Sequence, residues 1–157
     1  MSQEFPFQTR VRWIGTSKPG PLAPSSYTRD MLVEPEGKPP IAGSSARRFR
    51  GDDSRYNPED LMLASLAECH ILTYLTQSAL AGIRVMSMEV EASGVIATIE
   101  GKTRFREATI RCRTRVEKAD DIERAVHLHE KAHAECFMSN SVNFPIAIEP
   151  AVTAGEA

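Results

Sequence analysis

Hydrophobic and polar positions divide the chain into two regimes. Over residues 1–55 apolar side chains come in short patches among Pro, Gly, Ser and Arg. Residues 7–14 alternate in the manner of a strand, with Phe7, Val11 and Trp13 available to one face. Residues 15–24 (GTSKPGPLAP) have the composition of a loop. A second strand is predicted over residues 27–33. A turn at Glu36-Gly37-Lys38 then leads to a short third strand over 40–43, confined to an edge or an irregular path by Pro39-Pro40. Residues 47–53 (RRFRGDD) read as a solvated connection.

The second regime opens at Asn57-Pro58-Glu59-Asp60, a helix start with Asn as N-cap, Pro at the first helical position and two carboxylates at the positive end of the helix dipole. No proline or glycine follows until Gly82, which predicts a helix over residues 57–82 with glycine as its stop. Between Leu61 and Leu75 the strongly polar residues are Glu68 and His70 alone. A helix apolar almost all round is buried on more than one side. One small domain supplies one sheet to cover it, so the pattern predicts a second subunit and a homodimer. Residues 85–98 and 105–116 read as two long strands joined at Glu100-Gly101. In the latter, Ala108, Ile110, Cys112, Thr114 and Val116 take one face, and Arg111, Arg113 and Arg115 the other. Asp120-Asp121 caps a second helix reaching residue 134, residues 143–149 form a final strand, and 150–157 are expected to be a loose tail. The result is one α+β domain over residues 1–157: N-terminal strands and loops (1–55), a central helix (57–82), then hairpin, second helix and final strand (85–149).

Composition narrows the function. The 157 residues carry 19 Lys+Arg against 21 Asp+Glu, a net charge of −2, which argues against a sequence-independent nucleic-acid binder. No apolar run approaches the roughly 20 residues that span a bilayer. The start Met-Ser-Gln-Glu-Phe-Pro lacks the basic patch and apolar core of a signal peptide, so no membrane role and a cytoplasmic location are expected. Three cysteines, an odd number, do not make a secreted disulfide framework.

The cysteines therefore pack or react. Cys112 falls on the inward face of a clean strand pattern and reads as packing. Cys69 lies within Ala67-Glu68-Cys69-His70, a polar interruption of an apolar helix, which costs burial energy unless something is gained. Cys136 ends a His-rich helix in which His129, His133 and Cys136 stand at i, i+4 and i+7. That spacing could present two imidazoles and a thiolate to a metal such as zinc, with His70 or Cys69 as a fourth ligand. The competing reading is a solvated His-rich face with no metal.

Asn57-Pro58-Glu59-Asp60-Leu61, Ala67-Glu68-Cys69-His70, and the run from Ala134-Glu135-Cys136-Phe137-Met138 to Ser139-Asn140-Ser141-Val142 together resemble the hallmark segments of the OsmC/Ohr family, the osmotically inducible and organic hydroperoxide resistance proteins. The resemblance is to the OsmC-like branch and spans most of the chain. It implies an α+β fold in which antiparallel sheets wrap around long central helices in an intertwined homodimer. It also implies a peroxiredoxin-like, thiol-dependent reduction of organic hydroperoxides for oxidative-stress defence. No metal, flavin or haem is implied; an external dithiol of lipoyl or thioredoxin type would be the reductant. By position, Cys69 resembles the peroxidatic cysteine and Cys136 the resolving one. Glu59 resembles the carboxylate that anchors an activating arginine, with Arg29 as first choice for that arginine and Arg48 as second. At His70 those branches usually carry an aromatic residue. A non-catalytic or redox-sensing member of the family is the alternative.

The chemistry fits these residue types. A free thiol near pKa 8.5 is mostly protonated at neutral pH, and burial raises it further, so a neighbouring cation must offset desolvation. Glu59 and Cys69 are ten residues apart, roughly 15 Å along one helix. A shared site therefore implies that Glu59 comes from the partner subunit. Leu61, Met62, Leu66 and Phe137 are the expected apolar lining for an organic peroxide.

Overall fold

A computed structural model of the chain describes residues 3–16 and 23–155, so most of the expected 15–24 loop lies outside the described residues. The chain divides into two compact units, Met1–Leu61 and Met62–Ala157.

In the first unit, strands β1 (Thr9–Trp13), β2 (Met31–Pro35) and β3 (Ile41–Gly43) form an antiparallel sheet in that order. The second strand starts later than the sequence pattern placed it. Residues 28–30 serve instead as an edge clasp: Trp13 Nε1 donates to the Thr28 carbonyl at 2.8 Å, and the Ile14 amide to that of Asp30 at 2.8 Å. A single 3-10 turn, Arg47–Phe49, occupies the charged connection.

Helix α1 (Pro58–Leu80) starts in this unit. Its N-terminus is fixed reciprocally. The Asp60 amide donates to Asn57 Oδ1 at 2.8 Å, and the Asn57 amide donates back to Asp60 Oδ2 at 3.1 Å, a capping box with Asp in the return position. Its C-terminus closes on Gly82 at φ +71°, with Gly82 N–H bonded to the Ala79 carbonyl and Ile83 N–H to that of Ser78. These are the two bonds of a Schellman motif.

The second unit holds most of α1, the hairpin of β4 (Val85–Ile99) and β5 (Lys102–Val116), helix α2 (Ile122–Glu135) and strand β6 (Ile146–Ala154). Glu100 at φ 52° and Gly101 at φ 76° make the two-residue turn of the hairpin. Both left-handed positions match strand twist, as a type I′ turn requires. A Cβ on Gly94 would stand 2.7 Å from the Phe105 ring and 3.2 Å from Leu63, so α1 lies against the hairpin at this glycine.

Two expectations are corrected here. The sheet is mixed, because β6 runs parallel to β5, from Ala108 opposite Ile146 to Val116 opposite Ala154. The return through α2 is the crossover that parallel pairing needs. The expected tail from residue 150 is strand as far as Ala154, because Val152 and Ala154 pack against the core cluster of Ile83, Val116 and Ala125. Pro150, which lacks an N–H, is accommodated because β6 is the outer strand of this sheet.

The inward face of β5 is buried as the alternation predicts. Leu66, Ile110 and Cys112 form the other core cluster. Along α1 the buried positions are Leu66, His70, Tyr74, Gln77 and Ser78, while Leu72 and Leu75 are exposed at 59% and 40%. His70, Gln77 and Ser78 thus face inward on this helix beside Leu66 and Tyr74, while Leu72 and Leu75 face outward. Among the described residues no helix is long and apolar enough to cross a membrane.

Candidate active site

Cys69 is carried by the middle of α1, half-buried, with Thr73 one turn further on. Cys136 is buried and stands where α2 ends, its backbone already extended at φ −70°, ψ 118°. The chain then turns back on itself. The Asn140 amide donates to the Cys136 carbonyl at 3.0 Å, Asn140 Nδ2 to that of Ala134 at 2.9 Å, and Ser141 Oγ to that of Phe137 at 2.7 Å. This turn aims two consecutive amides at Cys69.

Burial of Cys69 pushes its thiol pKa up, but hydrogen bonds from the Met138 amide, the Cys136 thiol, the Phe137 amide and the Thr73 hydroxyl outweigh it and bring the thiol below its ordinary value. Thr73 also donates to the Cys69 carbonyl at 2.9 Å, so its one proton is divided between two acceptors. Cys136 moves the other way. Burial and the neighbouring Cys69 sulfur raise it, against the opposing pull of Ser139. The pair is polarised: Cys69 is the better thiolate and Cys136 the protonated donor facing it.

Cys69 opens onto a cavity of about 600 Å³. Leu72 and Phe137 give it apolar walls; Thr73, Gln77, Glu135 and Asn140 give it a polar side. Of the residues expected from the sequence, Cys69, Cys136 and Phe137 come together here. Leu66 does not line the cavity, being core against Ile110 and Cys112, and Met62 is exposed outside the lining.

Leu61, Glu59, Arg29 and Arg48 belong to the first unit. There Arg29 donates to the Pro24 carbonyl at 2.8 Å and lies 4.7 Å over the Tyr27 ring, and Arg48 sits 5.2 Å over the Phe49 ring. Glu59 has one carboxylate oxygen buried without a hydrogen-bond partner among the described residues.

The metal-ligand set His129, His133 and Cys136 is not assembled. Cys136 has left the helix and faces Cys69, and His129 points into the core. His129 instead lies 3.1 Å from His70, Nδ1 to Nε2, and 3.3 Å from Thr114 Oγ1. Together with Cys112 these two histidines are the described group whose ligand atoms, all within 4.8 Å of one another, could hold an ion. Desolvation pushes both imidazoles down to about 4, so at neutral pH two neutral rings share one hydrogen bond. Tyr74 stacks on His129 at 3.9 Å and donates to the Ala125 carbonyl at 3.1 Å. Burial pushes the Cys112 thiol up to about 12, which keeps it protonated.

Sequence reasoning missed the amides of Phe137 and Met138, for which a sequence holds no signal, since nearly every residue has an N–H. It also missed Thr73, which the i, i+4 spacing from Cys69 could have revealed, and the pair of Gln77 and Glu135.

Two free thiols, one on α1 and one just past the end of α2, define the class: an α+β protein with a polarised cysteine pair at the edge of one cavity. The model of the OsmC family, described as OsmC-like protein, matches residues 51–151, and the chain belongs to this family. Among relatives, the uncharacterized protein YmaD of Bacillus subtilis is 22% identical over 117 residues, 71% of this chain and 78% of YmaD. Among solved structures, an OsmC-like protein of unknown function from Vibrio cholerae has a TM-score of 0.83 at 23% identity, covering 96% of this chain and 100% of that one. An organic hydroperoxide resistance protein from Elizabethkingia anophelis has a TM-score of 0.70 at 22% identity, with 99% and 100% covered. At these identities the likeness is one of fold.

Proposed function

We propose that the protein is a thiol peroxidase that reduces organic hydroperoxides to alcohols, in defence against oxidative stress. The observation that carries this reading is the polarised pair itself: a Cys69 thiol with lowered pKa receiving hydrogen bonds from the Cys136 thiol and two amides, at the edge of a cavity with apolar walls. In the proposed cycle the Cys69 thiolate attacks the distal peroxide oxygen. The O–O bond breaks, an S–O bond forms, and the alkoxide leaves as alcohol after protonation. The Cys136 sulfur then displaces water from the Cys69 sulfenic acid, giving a disulfide. An external dithiol, of lipoyl or thioredoxin type, restores both thiols by exchange and is itself oxidised to a disulfide. The two sulfurs carry both electrons, so the cycle calls on no cofactor beyond that dithiol. Leu72 and Phe137 favour an organic peroxide over hydrogen peroxide, which apolar walls cannot solvate. A cytoplasmic setting, where thiols are kept reduced, suits such a pair.

The working unit in this reading is a homodimer. The outward leucines of α1, Leu72 and Leu75, are the reason, since an apolar helix face left in water is a destabilising arrangement. Glu59, with a buried oxygen lacking a partner, would anchor an arginine, Arg29 before Arg48, beside the second subunit's Cys69. Mass spectrometry under native and denaturing conditions tests both points, before and after cumene hydroperoxide. The expected wild type is a dimer whose chains each lose about 2 Da on disulfide formation. Cys136→Ser should gain about 16 Da as sulfenic acid, and Cys69→Ser should stay unchanged. Full oxidation of Cys69→Ser, or a monomer with intact peroxide consumption, sinks the corresponding part.

A further inference from the structure

Four successive backbone amides follow α2, and each has a destination at the cysteine pair. Those of Phe137 and Met138 donate to the Cys69 sulfur. That of Ser139 donates to the Cys136 sulfur, and that of Asn140 to the Cys136 carbonyl at 3.0 Å. Cys136, extended at φ −70°, ψ 118°, thus accepts on its side chain from the amide three residues on, the relation a capping side chain has to the turn it starts. Ser139 opens the 3-10 turn Ser139–Ser141, and its hydroxyl is the group left over. Ser139 Oγ is buried without a hydrogen-bond partner among the described residues, although it lies against the Cys136 sulfur. A neutral thiol is a weak acceptor and offers that hydroxyl little; a thiolate accepts readily, and charge-assisted hydrogen bonds are about twice as strong as neutral ones. The unused donor therefore favours the charged form of Cys136 over the neutral one.

We propose that Ser139 makes Cys136 a nucleophile once Cys69 has reacted: its amide and its unused hydroxyl hold the Cys136 thiolate while that sulfur attacks the modified Cys69. As a step in peroxide reduction this rests on the peroxidase reading; as a step in any disulfide formation between these two cysteines it does not. The order of events follows from what opposes the thiolate. In the resting pair, burial and the neighbouring Cys69 sulfur both keep Cys136 protonated. Once Cys69 has bonded to oxygen or to another sulfur it carries no negative charge, and burial is left to oppose the two donors of Ser139.

Exchange with a neutral aromatic disulfide, dithiodipyridine, tests the step without peroxide. Cys136 is buried, so the reagent meets Cys69 first. The Cys69 thiolate attacks one reagent sulfur and releases one thiopyridone, leaving a mixed disulfide. The Cys136 thiolate then attacks the Cys69 sulfur and releases the second, so that two thiols are oxidised and one reagent disulfide is reduced to two thiopyridones. Both releases are followed by absorbance on the full chain over a range of pH. Ser139→Ala should lower the ratio of second to first release rate about threefold at neutral pH, since one hydrogen bond to a charged sulfur carries about tenfold in thiolate and the more basic thiolate regains part of that as nucleophilicity. The midpoint of the second release against pH should move up. Ser139→Thr, which keeps the hydroxyl, should restore both. An unaltered ratio in Ser139→Ala, whether the two releases keep their rates or slow together, or a threonine no better than alanine, overturns the proposal. A second arm treats wild type and Ser139→Ala with cumene hydroperoxide and traps Cys69 sulfenic acid with dimedone, read by mass spectrometry; more should be trapped in Ser139→Ala. A lowered exchange ratio with neither sulfenic acid nor disulfide after peroxide leaves the role of Ser139 standing and removes the peroxidase reading. Equal trapping in both chains with an unaltered ratio does the reverse.

Discussion

The three cysteines show how far local surroundings separate chemically identical side chains. Cys112 is buried on the inward face of β5, and desolvation alone pushes its thiol up to about 12. Cys69 is also penalised by burial, yet donors from Met138, Cys136, Phe137 and Thr73 carry it below its ordinary value. A thiol whose charged form accepts hydrogen bonds titrates lower, and removing a donor must raise it again. The pH dependence of Cys69 alkylation should therefore show a midpoint below that of a free-cysteine peptide in wild type. In Cys136→Ala the midpoint should move up. An unchanged midpoint would mean the Cys136 thiol does not donate. Cys69 and Cys136 were legible as candidates because each breaks a pattern, one as part of a polar triplet in an apolar helix and one beside histidines. What lowers the Cys69 pKa was not, because amides act by direction, and direction is set by the turn after α2.

At the scale of elements, the ends of α1 illustrate what a sequence encodes locally. Asn57 and Asp60 bond each other's amides, and Gly82 closes the helix at φ +71°. Nothing lies within 4 Å of where a Cβ on Gly82 would stand, so Gly82→Ala meets backbone strain alone. It should cost about 1 kcal/mol in urea denaturation, with an unchanged slope against denaturant. A loss near zero would remove the left-handed stop as the reason for this glycine. Caps and the Glu100-Gly101 turn were readable since their partners lie within five residues. The β2 start and the length of β6 were not. Strand ends are decided by pairing partners far along the chain, and Val152 and Ala154 become strand only because Val116 and the second core cluster are there to receive them.

At the scale of the whole molecule, the buried imidazole pair ties stability to pH. His70 and His129 titrate at about 4 in the folded protein, because burial opposes the charged ring and each further charge nearby adds to that opposition. An unfolded histidine titrates near ~6.5, so the unfolded chain binds more protons between the two values. The neutral pair thus contributes stability that is fully present above about pH 6.5 and is lost as pH falls toward 4, at up to about 1.4 kcal/mol per pH unit for each proton taken up. Urea midpoints followed from about pH 7 to pH 4 should show this decline, and His70→Phe should reduce its slope; a flat profile would contradict the neutral pair. The sequence by itself determined the element order, the helix caps, the inward face of β5 and the two cysteines that break the pattern, because each is written in periodicity or short-range spacing. The tertiary structure alone decided that β6 runs parallel to β5, that His129 meets His70 and not a metal set with His133 and Cys136, and that Gln77 holds Glu135 on the cavity of Cys69. Those depend on which distant segments share a core, where burial and hydrogen-bond direction, and not residue type, set what a side chain does.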